Sequence, residues 1–149
     1  MTTSGEVTPA GAQVSAWRFL WGGAAAALAA TAGNLWWFGA FSSVTGQPRP
    51  DVITPDAIIL ASVASVLLAA GIYLLLARAL RIATPLYIVG ALAVGAVTTL
   101  APMMPVLPDG RPTPDAFPML AMPMHVWAGV CAAVIVPLFV HLRRRVSTR

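Results

Sequence analysis

Residues 54–85 read TPDAIILASVASVLLAAGIYLLLARALRIATP, and this stretch decides the fold. Positions 57–77 contain no Asp, Glu, Lys or Arg. The run is long enough for the roughly 20 residues that cross a hydrocarbon core of about 30 Å at about 1.5 Å per residue. Thr54 is placed to cap a helix, Pro55 suits its first position and Asp56 complements the positive end of its dipole. The helix should end near Leu80, with Arg78 and Arg81 in or just past its last turn. Thr84-Pro85 then repeats the start signal after a short turn, so the next helix must return antiparallel to the first.

Working outward, three more uncharged runs appear at 19–48, 82–108 and 116–142, each longer than the first. Of the chain's 149 residues, 58% are hydrophobic and 9% charged, and the mean hydropathy is +0.81. A soluble domain carries about a quarter charged residues, so a soluble enzyme is excluded. The expectation is an all-α four-helix transmembrane bundle, with a membrane domain over 16–145 and helices at about 17–41, 56–80, 85–102 and 119–142. The polar residues 1–15 are expected to be a mobile cytoplasmic tail and 146–149 a short C-terminal one. The first apolar run is too long for a signal-peptide core of about 7–15 residues and is read as a retained helix. Aromatic residues at its two ends, Trp17, Phe19 and Trp21 against Trp36, Trp37, Phe38 and Phe41, fit the two interfacial belts of a spanning helix. Pro123 falls in the first turns of the fourth helix, and Pro137 is a candidate kink near its far end.

Orientation follows from arginine, which supplies all nine basic residues. With the N-terminus inside, Arg18, Arg78, Arg81, Arg143, Arg144, Arg145 and Arg149 are cytoplasmic, while Arg49 and Arg111 are outside. This asymmetry places both termini in the cytoplasm by the positive-inside rule. It also accounts for the pI near 10.7 without a nucleic-acid partner. Arg78, Arg81, Arg143, Arg144 and Arg145 are expected to reach lipid headgroups.

Small residues recur at four-residue spacing, as Ala25/Ala29/Gly33, Ala61/Ser65/Ala69, Ala91/Gly95/Thr99 and Gly129/Ala133. Such faces let helices in lipid approach closely. They serve contacts within one chain and between two chains equally, so a homo-oligomer or another membrane protein is a candidate partner beside the bilayer.

Two constellations carry chemistry. Asn34, Asp56, Thr98, Thr99 and His125 all fall in the outer half of the expected bundle, and intramembrane polar groups often mark function. They define either an outward-facing pocket for a small ligand, cation or proton, or a set of interhelical hydrogen bonds in which His125 meets Asn34 or the third helix. Met119, Met122, Met124 and His125, with Met103 and Met104 on the same side, offer thioethers and an imidazole suited to Cu(I). Methionine filling apolar gaps is the competing reading. Cys131 is the sole cysteine, so one chain can form no disulfide or CxxC site. No acidic residue lies in the expected hydrocarbon centre, which disfavours proton-coupled drug export. The two histidines lie at opposite ends of one helix, so one chain cannot clamp a haem between them. A phosphate-binding loop, a nucleophile elbow and an HExxH motif are missing, and no catalytic residues or cofactors are assigned.

Several features resemble a family of small actinobacterial four-span integral membrane proteins known only as a domain of unknown function. They are Arg18 before an Ala-rich helix carrying Asn34, the sequence Thr98-Thr99-Leu100-Ala101-Pro102, and Met124-His125 followed by Gly129 and Ile135-Val136-Pro137. The resemblance spans about residues 16–145, and Thr98-Thr99 stands where a serine is common in such families. It implies a multi-pass plasma-membrane protein, singles out His125 and Pro137, and brings no activity or cofactor. The expected role is a non-enzymatic accessory or scaffold component, with a small transporter or ligand-binding protein built around His125 as the alternative.

Overall fold

The computed structural model describes residues 16–107 and 109–146, the last five by their backbone alone. They form α1 (Ala16–Thr45), α2 (Pro55–Ala79), α3 (Ala83–Thr98), one 3-10 turn (Ala101–Met103) and α4 (Phe117–Val146). The expected tail 1–15, and residues 147–149 of the C-terminal one, lie outside the described residues.

Helix ends follow local chemistry. At the start of α2, Thr54 Oγ1 accepts from the Ala57 amide at 3.3 Å, with Pro55 and Asp56 in the first turn. α1 continues past the expected Phe41 because Ser43 and Thr45 turn their hydroxyls onto the carbonyls of Ala40 and Phe41. It closes at Gly46, whose φ of +71° is the left-handed conformation that glycine adopts without a Cβ penalty. α3 begins at Ala83, with Thr84 inside its first turn, and Ile82 at the cap supplies no side-chain hydrogen bond. Thr84 is thus not the cap that its place before Pro85 suggests.

The segment between α3 and α4 narrows to a hairpin. Val106 bridges Pro112, Leu107 N–H donates to Arg111 O at 2.8 Å, and Gly110 takes φ +84° at the turn. Arg111 clamps the turn by donating from Nε to Asp109 Oδ2 at 2.8 Å.

α1 packs antiparallel to α2, through Phe19 with Tyr73 and Asn34 with Ser62. It also packs antiparallel to α4, through Trp37 with Leu120 and Trp127 with Ala29. α3 is antiparallel to α2 and α4, α2 meets α4 across the middle, and α1 does not touch α3. The cross-section is therefore a rhombus with α2 and α4 on its short diagonal. Phe19, Val66, Tyr73, Tyr87, Cys131 and Val136 lead the larger core cluster, and Phe41, Ile58, Leu120 and Met124 form a smaller one at the other end.

Glycines set the closest approaches. A Cβ built on Gly95 would lie 3.2 Å from Gly129 Cα, and one on Gly129 would lie 3.1 Å from Gly95 Cα. A Cβ on Gly33 would overlap the Trp127 indole, which sits in that notch and donates to Ala29 O at 3.2 Å. The small-residue spacings at Gly33, Gly95 and Gly129 thus serve contacts within the chain.

Large apolar side chains also cover the outside of the bundle, among them Leu60, Leu68 and Leu75 of α2 and Val89, Val94 and Val97 of α3. Single exposed apolar residues are ordinary on soluble proteins, whereas continuous apolar faces signal a membrane or a partner. Three helical stretches are long and apolar enough to cross a membrane: Pro55–Ala79, Ala83–Met103 and Phe117–His141. α1 is longer than α2 and α3, but Thr31, Asn34 and its glycines dilute its apolar content below the level that the other three stretches reach.

Both the helix contact and the hairpin clamp can be tested. Gly95→Val should cost on the order of 2 kcal/mol, as overpacking does, whereas Gly90→Val on the open side of the same helix should cost little; equal losses in detergent unfolding would refute the close contact. The hydrogen bond from Arg111, with its charge, holds the Asp109 carboxyl below its ordinary range. The clamp is therefore fully formed above the usual carboxylate pKa and is lost as pH falls through the lowered value. Arg111→Ala should return the Asp109 titration, followed by NMR, toward the ordinary range.

Candidate functional site

Of the five outer polar residues, Asn34 is buried and donates from Nδ2 to Ser62 Oγ at 3.0 Å, joining α1 to α2. Thr98 and Thr99 turn back onto their own helix, donating to Gly95 O at 2.9 Å and Ala96 O at 2.6 Å. Asp56 stands exposed in the first turn of α2. The His125 ring is half-buried and makes no side-chain hydrogen bond among the described residues. Because α1 and α3 do not touch, Asn34 and the two threonines lie on opposite corners of the rhombus, and none of them hydrogen-bonds to His125 among the described residues. Asn34 is an interhelical tie, as one reading of it required, but its partner is Ser62 rather than His125. Thr31 Oγ1 is buried and has no partner among the described residues.

The methionines also diverge. Met124 is buried in the smaller core cluster, Met119 is exposed on the opposite side of α4, and Met122 is half-buried. Met103 and Met104 are exposed. No group of three His, Cys, Asp or Glu side chains able to hold a metal occurs among the described residues.

Side chains do converge at the other end of the molecule, where α1 starts, α2 ends, α3 starts and α4 nears its end. Tyr73 OH lies 2.7 Å from Thr84 Oγ1, and Thr84 Oγ1 lies 3.2 Å from His141 Nε2. Tyr73 OH is 3.5 Å from the same nitrogen. The Tyr73 ring is buried, with its face stacked on Tyr87 at 4.4 Å and Phe19 set edgewise to it at 5.0 Å. These rings fix the position of the phenol oxygen. Beside the triad an open recess of about 370 Å³ is lined also by Phe19, Arg78, Arg81 and Val140, with no carboxylate among the described residues that line it. All four helices contribute to this recess.

Its chemistry is donor-rich and cationic. Tyr, Thr and neutral His carry one side-chain proton each, and two short contacts use two of the three. Which group carries the third depends on the His141 tautomer. Arg78 and Arg81 are exposed at the rim. The uncapped start of α3 adds backbone N–H groups and the positive end of a helix dipole. Thr84 and His141 resemble a nucleophile and base in spacing, but no carboxylate among the described residues orients the imidazole as a hydrolytic triad requires.

Sequence reasoning did not assemble this group, because it read Thr84-Pro85 as a helix start and placed the second histidine only at the far end of the fourth helix. The usable signal was positional: the antiparallel turn at 81–84 brings Tyr73 and Thr84 to the same level, and a fourth helix of the expected length delivers His141 there. The side chains of Arg143, Arg144 and Arg145, expected at the same end, lie outside the described residues.

In comparisons with known protein families, curated proteins and solved structures, no match to this chain was found.

The Asn34 tie can be measured by a double-mutant cycle. Ser62→Ala and Asn34→Leu should be coupled by about 1 kcal/mol, the usual size of an interhelical hydrogen bond in a membrane protein. Strictly additive losses in unfolding free energy would show that the pair does not act as one unit.

Proposed function

We propose that the chain is a four-span plasma-membrane protein with both termini in the cytoplasm, acting as a non-enzymatic accessory or scaffold component. The observation that carries this reading is the division between a polar interior tied helix to helix and a continuous apolar exterior on α2 and α3. In hydrocarbon each buried polar group needs a partner inside the protein, and the bundle meets that requirement at Asn34, Ser62, Trp37, Tyr87 and Trp127. The likeness to small four-span membrane proteins noted in the sequence is in keeping with it.

α1 counts as the fourth span on the strength of its length and packing. At the helical rise per residue it reaches about 45 Å, and its most polar central group, Asn34, faces inward to Ser62. Charge supports the orientation. Arg18, Arg78 and Arg81 collect at one end, whereas at the other Arg49 lies over the Phe38 ring and Arg111 is paired with Asp109. A scaffold role draws on the apolar faces of α2 and α3, which no other part of the described chain covers. A transporter built on the five outer polar residues would need them to converge, and the separation of Asn34 from Thr98 and Thr99 favours the scaffold.

Reporter fusions test the topology: a reporter after Arg149 should signal from the cytoplasm and one inserted in the 107–111 hairpin from outside. An extracytoplasmic signal after Arg149 would overturn the orientation. For the role, purification from native membranes in mild detergent should retain a stoichiometric membrane partner. A protein that purifies alone and gives solute flux in liposomes would instead be a transporter.

A further inference from the structure

We propose that the recess between Arg78, Arg81 and the Tyr73–Thr84–His141 triad is a binding site for a phosphate monoester, carried either on a lipid headgroup or on a soluble molecule. The argument begins with charge. Arg78, Arg81 and the amino end of α3 line one recess in which no carboxylate occurs among the described residues, so an anion is favoured there over a cation. Guanidinium forks match the oxygen pairs of a phosphate, and helix starts with open N–H groups favour the same ligand.

Hydrogen bonding sharpens the class. A phosphate monoester offers several terminal oxygens, all acceptors. The recess offers donors: the two arginines and the amides of Ala83 and Thr84, which precede Pro85 at the start of α3. Tyr73 is held in place by Tyr87 and Phe19, so this side of the recess is ordered before any ligand arrives, which reduces the entropy lost on binding. Thr84 supplies an independent indication. It stands in the first turn of a helix that lacks a side-chain cap, yet its hydroxyl is turned to Tyr73 and His141. The start of α3 is thereby left open on the side of the recess.

Size and shape agree. About 370 Å³ lies within the range of small-ligand pockets and accommodates a phosphorylated polyol or a headgroup. The wall formed by Phe19, Ala77 and Val140 is apolar and gives the organic part of such a ligand a surface to lie against. The two arginines thus do more than sit among bulk headgroups, because they flank a defined recess whose floor is polar.

The test uses the full chain in a nonionic detergent, so it does not depend on the membrane orientation proposed above. The probes are glycerol 3-phosphate and short-chain dihexanoyl phosphatidic acid, titrated by calorimetry. One-to-one saturable binding of at least one probe is expected. Binding of both with similar affinity identifies the phosphate monoester itself as the ligand, binding of the lipid alone identifies a headgroup site, and binding of glycerol 3-phosphate alone identifies a soluble ligand. Arg78→Gln/Arg81→Gln, both exposed and so compatible with folding, should weaken binding by at least tenfold. Arg49→Gln/Arg111→Gln, which removes the same charge from the opposite end, should leave the affinity unchanged. No saturable binding of either probe, or an equal loss in the opposite-end pair, would overturn the proposal.

Discussion

The contact of Gly95 with Gly129, backbone against backbone, is the constraint on which the rest of the bundle depends. Helices in lipid gain little from excluding water, since the tails are as apolar as leucine, and are held by dispersion and hydrogen bonds that require close approach. Where α3 and α4 meet at these glycines their relative height is set. Tyr87 then reaches Ala132 O at 3.1 Å, one residue before Ala133, whose carbonyl loses its helical donor to Pro137. Further along the same pair, Thr84 arrives opposite His141. A side chain at either glycine would displace each of these bonds together.

The interface of α1 with α4 follows a related logic with different parts. Trp37 and Trp127 each donate an indole N–H to a carbonyl of the opposite helix, at 3.0 Å and 3.2 Å, and Gly33 leaves the room that the second ring occupies. A large ring in a glycine notch gives wide contact together with one directional bond, which fixes register more firmly than aliphatic packing. Both tryptophans thus belong to the helix interface.

The helices and their antiparallel order were legible because they rest on local signals: uncharged runs, Thr-Pro-Asp before α2 and arginines after it. The glycine spacings were legible as surfaces for close packing but not as pairs, because Gly33, Gly95 and Gly129 would serve an intrachain or an interchain contact equally well in sequence. The grouping of the outer polar residues was not legible for a related reason. Depth along a helix follows from the fixed rise per residue, but direction around it depends on which neighbours it meets, and Asn34 lies on the corner of the rhombus opposite Thr98 and Thr99. Thr84 shows the same limit in one residue: before a proline its local reading is a cap, and only tertiary contact with Tyr73 and His141 gives its hydroxyl another use.

The arrangement of the triad has a consequence for the order of assembly. Tyr73 and Thr84 lie on consecutive helices joined by a short turn and can meet as soon as α3 has been made. His141 comes from the far end of α4, much later in the chain. Until α4 has been inserted, α3 has only α2 to lean on, and the recess has neither its imidazole nor the Val140 wall. The polar end is therefore the part of the molecule completed last during synthesis, and its completion marks a chain in which all four helices have found their places.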